Sequence, residues 1–355
     1  MADKTGIEWT DATWNPIVGC SVVSPGCTNC YAMRMAERIE AMGGAPHYAG
    51  LTQPSKVGAV WTGKVALAPE RILTQPLRWT RGRKIFVNSM GDLFAEGVPD
   101  TWIDQVFEVM ASCRQHAFQV LTKRPARARA YLSRFKPCRA ASGFLTRDGD
   151  EPTNYGGPVD RPIFAGDRWP LPNLWLGVSA EDQARADERI PELLATPAAV
   201  RFVSAEPLLA PIDLREIHPD DRYEVDALIG FDSDNGAVCE RIDWVIAGGE
   251  SGPGARPMHP GWARSLRDQC SAARVPFFFK QWGEWTPGEN VGRKRGAVEV
   301  ASLSNYDDGW RFAQEDLADC DGHVDDEPDL YRVGKRAAGR LLDGVEHLAY
   351  PETRS

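Results

Sequence analysis

No apolar run in this 355-residue chain approaches the roughly 20 residues that a helix needs to cross a bilayer. The opening residues, Met1-Ala2-Asp3-Lys4-Thr5, lack the apolar stretch of a signal peptide, so a cytoplasmic protein without membrane contact is expected. Low-complexity tracts are missing too, and 26 prolines, 33 glycines and 9% aromatics do not fit a disordered or collagen-like chain. An excess of positive charge is also absent. Lys+Arg number 41 against 50 Asp+Glu, a net charge of -9 that at first argues against an anionic partner. That charge is unevenly placed. Residues 307–330 hold ten acids against Arg311 alone and so carry the whole excess, while the remainder is balanced. Charge therefore excludes no nucleic acid.

With 43% apolar residues the chain can bury a sizeable core. Six short β-rich runs recur along it: 84–89, 118–123, 174–179, 201–206, 243–248 and 276–281. Such runs suit strands covered on both faces. Helical stripes lie between most of them: Ile103, Phe107 and Met110; Ala186, Ile190 and Leu193; Trp262, Leu266 and Ala273. Alternating strands and helices predict an α/β fold with parallel strands, a full or partial (β/α) barrel over residues 1–290. Two polar insertions, 136–172 and 217–241, read as lids, substrate loops or surface excursions. A C-terminal extension follows over 291–355, acidic at 307–330.

In a parallel α/β fold the working groups lie at the C-terminal strand ends. Here those ends are polar: Asn88-Ser89-Met90-Gly91-Asp92, Thr122-Lys123-Arg124, Ser179-Ala180-Glu181, Ser204-Ala205-Glu206, Gly248-Gly249-Glu250-Ser251 and Lys280-Gln281. Any one of them is explained by helix capping or an ion pair. A carboxylate or lysine after nearly every strand points instead to several facing one cavity.

Eight cysteines in a chain without a signal peptide are expected to be reduced. Cys113, Cys138, Cys239, Cys270 and Cys320 stand alone and read as small buried hydrophobes or surface thiols. Cys20, Cys27 and Cys30 form a C-x6-C-x2-C group inside a Gly/Pro-containing loop. Three nearby thiolates can hold zinc or an iron–sulfur cluster. A closed structural zinc site takes four ligands, and His47 is the nearest further donor. Three cysteines on a [4Fe–4S] cluster leave one iron open to a small molecule, the arrangement that binds S-adenosylmethionine. The open cluster is the preferred reading; structural zinc and no metal are the alternatives. A helix is predicted after Cys30, with Met35, Ile39 and Met42 on one stripe and Thr28 or Asn29 as N-cap.

The segment from Asn15-Pro16 through Cys30-Tyr31-Ala32 resembles the signature of radical S-adenosylmethionine enzymes, especially the spore-photoproduct-lyase-like branch. The chain as a whole resembles a phage-associated family of three-Cys-motif proteins, known as a domain of unknown function. That likeness rests on Trp14-Asn15-Pro16 to Tyr31, Ala205-Glu206-Pro207-Leu208-Leu209, Ala247-Gly248-Gly249-Glu250-Ser251-Gly252-Pro253 and Phe278-Phe279-Lys280-Gln281-Trp282-Gly283. Thr122-Lys123 is similar to a Thr-Lys pair of the lyase-like branch. The cysteine spacing differs from the common superfamily form, which has three residues between the first two.

What the resemblance implies is a cluster on Cys20, Cys27 and Cys30 that, once reduced, cleaves S-adenosylmethionine to methionine and a 5′-deoxyadenosyl radical. Ser89 and Asp92 are implied at the aminoacyl end, with Lys123 beside the cofactor. Ser179 and Glu181 are implied at the ribose, and Gly248 and Gly249 along the adenosine. Glu206, Glu250 and Lys280 are left as catalytic residues on the substrate side, and an electron donor is required.

Seven basic residues and no acid lie over 121–139, and Arg78, Trp79, Arg81, Arg83 and Lys84 form a second block. Such stretches can track phosphates or serve as solvated helix faces. Two readings therefore stand. One is a radical enzyme acting on nucleic acid, a nucleotide or a partner protein. The other is a non-catalytic, metal-stabilised nucleic-acid-binding accessory protein of phages or mobile elements.

Overall fold

The strand-like runs become the strands of one parallel sheet in a computed structural model, which describes residues 5–56, 58–137, 144–147, 164–165, 169–220, 223–233, 236, 240–291, 296–304, 309–320 and 328–352. Seven strands lie side by side in chain order: β1 Ala12–Trp14, β2 Lys84–Val87, β3 Ala117–Thr122, β4 Leu174–Ser179, β5 Val200–Ala205, β6 Trp244–Gly248 and β7 Phe277–Gln281. Every neighbouring pair is parallel. A parallel sheet whose spatial order follows chain order curls with its helices on one side. The result is a partial (β/α) barrel.

Among the described residues, five α-helices longer than one turn accompany it: α1 Tyr31–Met42, α2 Asp100–Ser112, α3 Pro125–Leu132, α4 Gln183–Leu194 and α5 Pro260–Ala273. In α2 the buried residues include the predicted Ile103, Phe107 and Met110; in α4 they include Ala186, Ile190 and Leu193. The α1 stripe differs. Met35 and Met42 are exposed, and the buried side is Ala32, Met33 and Ala36. Small side chains let α1 approach Tyr48, Leu51 and Trp61 closely.

Strand alternation sorts the core into two layers. Ile85, Val87, Phe118, Val120, Leu176, Val178, Val203 and Val245 pack outward against the helices. Phe86, Trp175, Phe202, Trp244 and Phe278 point inward and, with Trp9, fill the base of the barrel. Trp9 lies 4.7 Å from the Phe86 ring and 6.2 Å from the Trp244 ring, tilted or edge-on as aromatic pairs prefer. Gly177 makes room in this layer, because a Cβ there would lie 2.4 Å from the Phe202 ring.

The insertions sit outside this frame. Over 217–241, the strands Ile217–Asp220, Tyr223–Asp226 and Phe231–Asp232 form an antiparallel sheet. It docks on α4, where the His218 amide donates to Asp187 Oδ1. In 136–172, only residues 136–137, 144–147, 164–165 and 169–172 are described. After β7, strands Trp285–Pro287, Ala297–Ser304, Gly309–Asp316 and Leu330–Arg332 form a second antiparallel sheet. Of the acidic segment, Asp307, Asp308, Asp321, Asp325, Asp326 and Glu327 lie outside the described residues. Among the described residues, no helix is long and apolar enough to cross a membrane.

Candidate functional site

Above the aromatic base the barrel opens into a cavity of about 490 Å³, walled by the C-terminal ends of the strands and the cysteine loop. Cys20, Cys27 and Cys30 all line it. So do Ser89, Asp92, Lys123, Ser179, Glu206, Gly249, Glu250 and Lys280. Glu181 and Gly248 do not. His47 lies in a separate turn, stacked on Tyr48, and is not part of the wall.

The loop is held at three points, each by a different strand end. After β3, Arg124 uses all five of its N–H donors. Nε serves the Glu96 carboxylate at 3.0 and 2.9 Å, and Nη1 serves Asp92 Oδ2 at 3.1 Å and Cys20 Sγ at 3.6 Å. Nη2 serves the Ser21 carbonyl at 3.2 Å and Ser21 Oγ at 2.5 Å. After β4, the fully buried Glu181 accepts from the Gly26 amide at 3.1 Å, Lys123 Nζ at 3.3 Å and Arg189 Nη1 at 3.1 Å. After β6, Glu250 Oε2 accepts from Asn29 Nδ2 at 2.9 Å, while Arg256 Nη2 donates to Oε1 at 2.6 Å. Each cysteine therefore has a clamp within one residue of it in sequence.

These contacts fix what the predicted residues touch. Glu181 stands behind the loop, with its carboxylate turned to Gly26 rather than into the cavity. Asp92 is saturated by four donors: Thr122 Oγ1 at 2.8 Å, the Phe94 amide at 2.9 Å, the Lys123 amide at 3.0 Å and Arg124. Gly249 owes its missing side chain to β7, since a Cβ there would meet the Trp282 carbonyl at 1.9 Å. Glu206 and Lys280 pair with one another at 2.5 Å on the cavity wall. Ser89 Oγ donates to Asn15 Oδ1 at 3.1 Å, and its carbonyl accepts from the Tyr31 hydroxyl at 2.7 Å. The N-cap of α1 is Cys30 itself, not Thr28 or Asn29. Asn29 reaches Glu250 instead, and Thr28 Oγ1 donates to the Pro25 carbonyl at 2.9 Å.

Burial governs the Cys20 and Cys30 thiols. It pushes Cys20 up to about 12, helped by Asp92 and opposed by Arg124. Burial also raises Cys30, against the amides of Ala32 and Met33 at the start of α1. Thiols so disfavoured as anions ionise when a cationic centre takes up the charge. Burial works against the Glu181 carboxylate too, yet Lys123, Ser24, Arg189 and the Gly26 amide together hold it down at about 2. Glu250 is likewise lowered despite burial, by Arg256 and Asn29.

Among the described residues no group of three or more His, Cys, Asp or Glu side chains is gathered for a single metal ion. The three thiols border one volume rather than one point. What they offer is a soft sulfur donor set on one cavity wall.

Sequence reasoning placed Arg124, Asn88 and Gln281 at polar strand ends without giving them a role, and missed Trp9. Among the described residues, Trp9 Nε1, Asn88 Nδ2 and Gln281 Oε1 are buried on this wall without a partner. Asn88 also holds a left-handed backbone, φ 59°, while its Oδ1 accepts from the Ile17 amide at 3.3 Å. An unpartnered amide on a strained residue at a strand end is the kind of signal that marks a site.

Of the seven basic residues over 121–139, five are spent on carboxylates within the chain. Lys123 pairs with Glu181, Arg124 with Asp92 and Glu96, Arg127 and Arg134 with Asp100, and Arg129 with Glu192. In the second block, Arg83 stacks over Trp79 and Lys84 over Tyr350.

The family model described as a protein of unknown function (DUF5131) matches residues 4–351. No curated protein matches the chain, and no solved structure does.

Proposed function

We propose, for a chain that belongs to the DUF5131 family, a radical S-adenosylmethionine activity centred on Cys20, Cys27 and Cys30. The observation that carries the reading is the joint one. Three cysteines of one loop border a single cavity at the C-terminal mouth of a curled parallel sheet, and three strand ends clamp that loop. Held by these cysteines and reduced by an external one-electron donor, a [4Fe–4S] cluster would supply the electron that breaks a C–S bond of S-adenosylmethionine, giving methionine and a 5′-deoxyadenosyl radical.

The chain's own residues then have separate tasks. Cys20, Cys27 and Cys30 ligate. Arg124, Glu181 and Glu250 hold their loop in one shape, which is the pre-organisation that a site of this kind needs. Ser89, Lys123 and Ser179 offer polar groups to S-adenosylmethionine. The aromatic base beneath them excludes water from below, so a reactive species formed above it is shielded. Glu206 and Lys280 face the cavity as a charged pair and are assigned to the substrate, where the lysine can give and the carboxylate can take a proton. Among the described residues of 121–139, the five basic side chains are paired with carboxylates, so they do not favour the alternative, a metal-stabilised nucleic-acid-binding module.

The test is anaerobic reconstitution of the full chain with iron and sulfide, followed by dithionite and S-adenosylmethionine. The expected product is 5′-deoxyadenosine, lost in Cys20→Ala, Cys27→Ala and Cys30→Ala. Stoichiometric zinc in place of a cluster, or cleavage that survives those substitutions, overturns the proposal.

A further inference from the structure

We infer that Arg124 sets the reduction potential of a cluster held at the three cysteines, through the N–H that it donates to Cys20 Sγ. The inference rests on the reading above and deepens it. Its ground is the contact itself: Nη1 lies 3.6 Å from the sulfur, and the guanidinium is almost wholly buried. The other two cysteines are served differently. Cys27 Sγ meets the neutral Ser24 hydroxyl at 3.8 Å, and Cys30 stands at the N-terminus of α1. Among the described residues, Cys20 is thus the corner that accepts a hydrogen bond from a cation, whereas Lys123 acts on Cys30 only through space.

An N–H to a ligating sulfur, and positive charge beside it, favour the more negative, reduced cluster and raise its potential. Two carboxylates pull the other way. Asp92 shares the same Nη1 atom, and Glu96 takes the Nε side. Their positions differ in weight: the Asp92 side chain is 7% exposed and that of Glu96 67%, so water screens Glu96 far more. Arg124 is therefore both the sulfur's donor and the counter-charge to a buried acid. With all five donors engaged, its fork is fixed in place, which a lysine cannot reproduce.

The sign of each substitution follows. Arg124→Gln removes the charged donor and leaves Asp92 uncompensated beside the cluster. One-electron reduction becomes at least tenfold less favourable, a potential about 59 mV more negative by the one-electron constant. Arg124→Lys keeps the charge without the fork and falls between. Glu96→Gln removes an acid and leaves the Cys20 contact intact, so it shifts the potential slightly upward. A merely structural Arg124 would leave the potential of the cluster retained in Arg124→Gln at the wild-type value.

The experiment is a dithionite redox titration followed by electron paramagnetic resonance, on full-length wild type and the three variants after anaerobic reconstitution. Shifts in the stated directions support the inference. A wild-type potential in Arg124→Gln overturns it. If Arg124→Gln retains no cluster, Arg124→Lys decides: a potential below wild type supports the inference, and an unchanged one makes Arg124 a fold anchor only. A wild type that takes up no cluster removes the radical reading and this inference together, whereas a cluster whose potential does not respond removes this inference alone.

Discussion

Glu181 shows how one buried carboxylate can hold a cofactor loop. It is fully buried, and two cations and a loop amide converge on it. Held at about 2 against its ordinary 4.5, it stays ionised in the folded protein where the unfolded chain begins to protonate. The stabilisation is complete above the ordinary carboxylate range and is lost as pH falls through it toward about 2. Glu181→Gln leaves the buried Arg189 with only the exposed Glu188, 3.9 Å from its Nε, a change worth up to about 3–5 kcal/mol at neutral pH. Urea unfolding at pH 7 and pH 3.5 checks both statements. Wild type loses stability between the two, and the variant starts lower and changes less. Equal pH slopes would show that the clamp does not depend on the carboxylate's charge.

At the scale of strands and helices, glycines report what the sheet requires. Gly248 ends β6, Gly249 follows it, and the pair invites the idea of a backbone kept bare for a ligand. Their surroundings separate them. A Cβ on Gly249 would collide with the Trp282 carbonyl, whereas one on Gly248 would meet the end of the Glu206 side chain at 3.3 Å, which can shift. Gly249→Ala is expected to destabilise the protein by about 1–3 kcal/mol, as overpacking does, and Gly248→Ala by clearly less. Thermal melts of the two variants test this, and equal losses would mean that β6 and β7 can part at no cost.

The same elements show what was legible in the sequence. Six of the seven barrel strands were readable, because burial on both faces leaves a β-branched and aromatic run that few other structures tolerate. Ala12–Trp14 was not, since three residues carry no period. The α1 stripe misled for a related reason: helical spacing marks a face, not its direction, and a face of alanines outcompeted one of methionines. Of the candidate site, the cysteines and most strand-end residues were visible as types. Their partnerships were not, since Asn29 and Glu250 stand 221 positions apart and Gly26 and Glu181 stand 155 apart. Only the fold decides which carboxylate faces a loop and which faces a cavity.

At the scale of the whole molecule, a sheet that curls without closing must manage the seam between β1 and β7. The C-terminal residues do this. Leu348 bridges Phe278 in antiparallel register, the Phe279 amide donates to the His347 carbonyl at 2.9 Å, and Trp244 Nε1 donates to the Ala349 carbonyl at 2.8 Å. Tyr350 then crosses to the other edge, where its hydroxyl donates to the Glu8 carbonyl at 3.4 Å and Lys84 lies over its ring at 3.9 Å. Asp343 fastens the same segment to Arg264 and Arg267 of α5. The aromatic base of the barrel therefore depends on a segment far from it in sequence. Removing residues 341–355 bares the β7 edge and leaves the Trp244 indole N–H buried without an acceptor, so the shortened chain should bind a hydrophobic dye and tend to associate. Leu342→Ala is the gentler version. That side chain is fully buried, and its truncation should remove about 2–5 kcal/mol in urea unfolding. The cysteine loop is clamped from the ends of β3, β4 and β6 rather than by this segment. If the base only supports the site, the Leu342→Ala protein should still take up a cluster at low temperature while melting earlier. If a melting curve and dye binding indistinguishable from wild type accompanied loss of the whole segment, the barrel would be stable with its seam open, and the C-terminal residues would need another explanation.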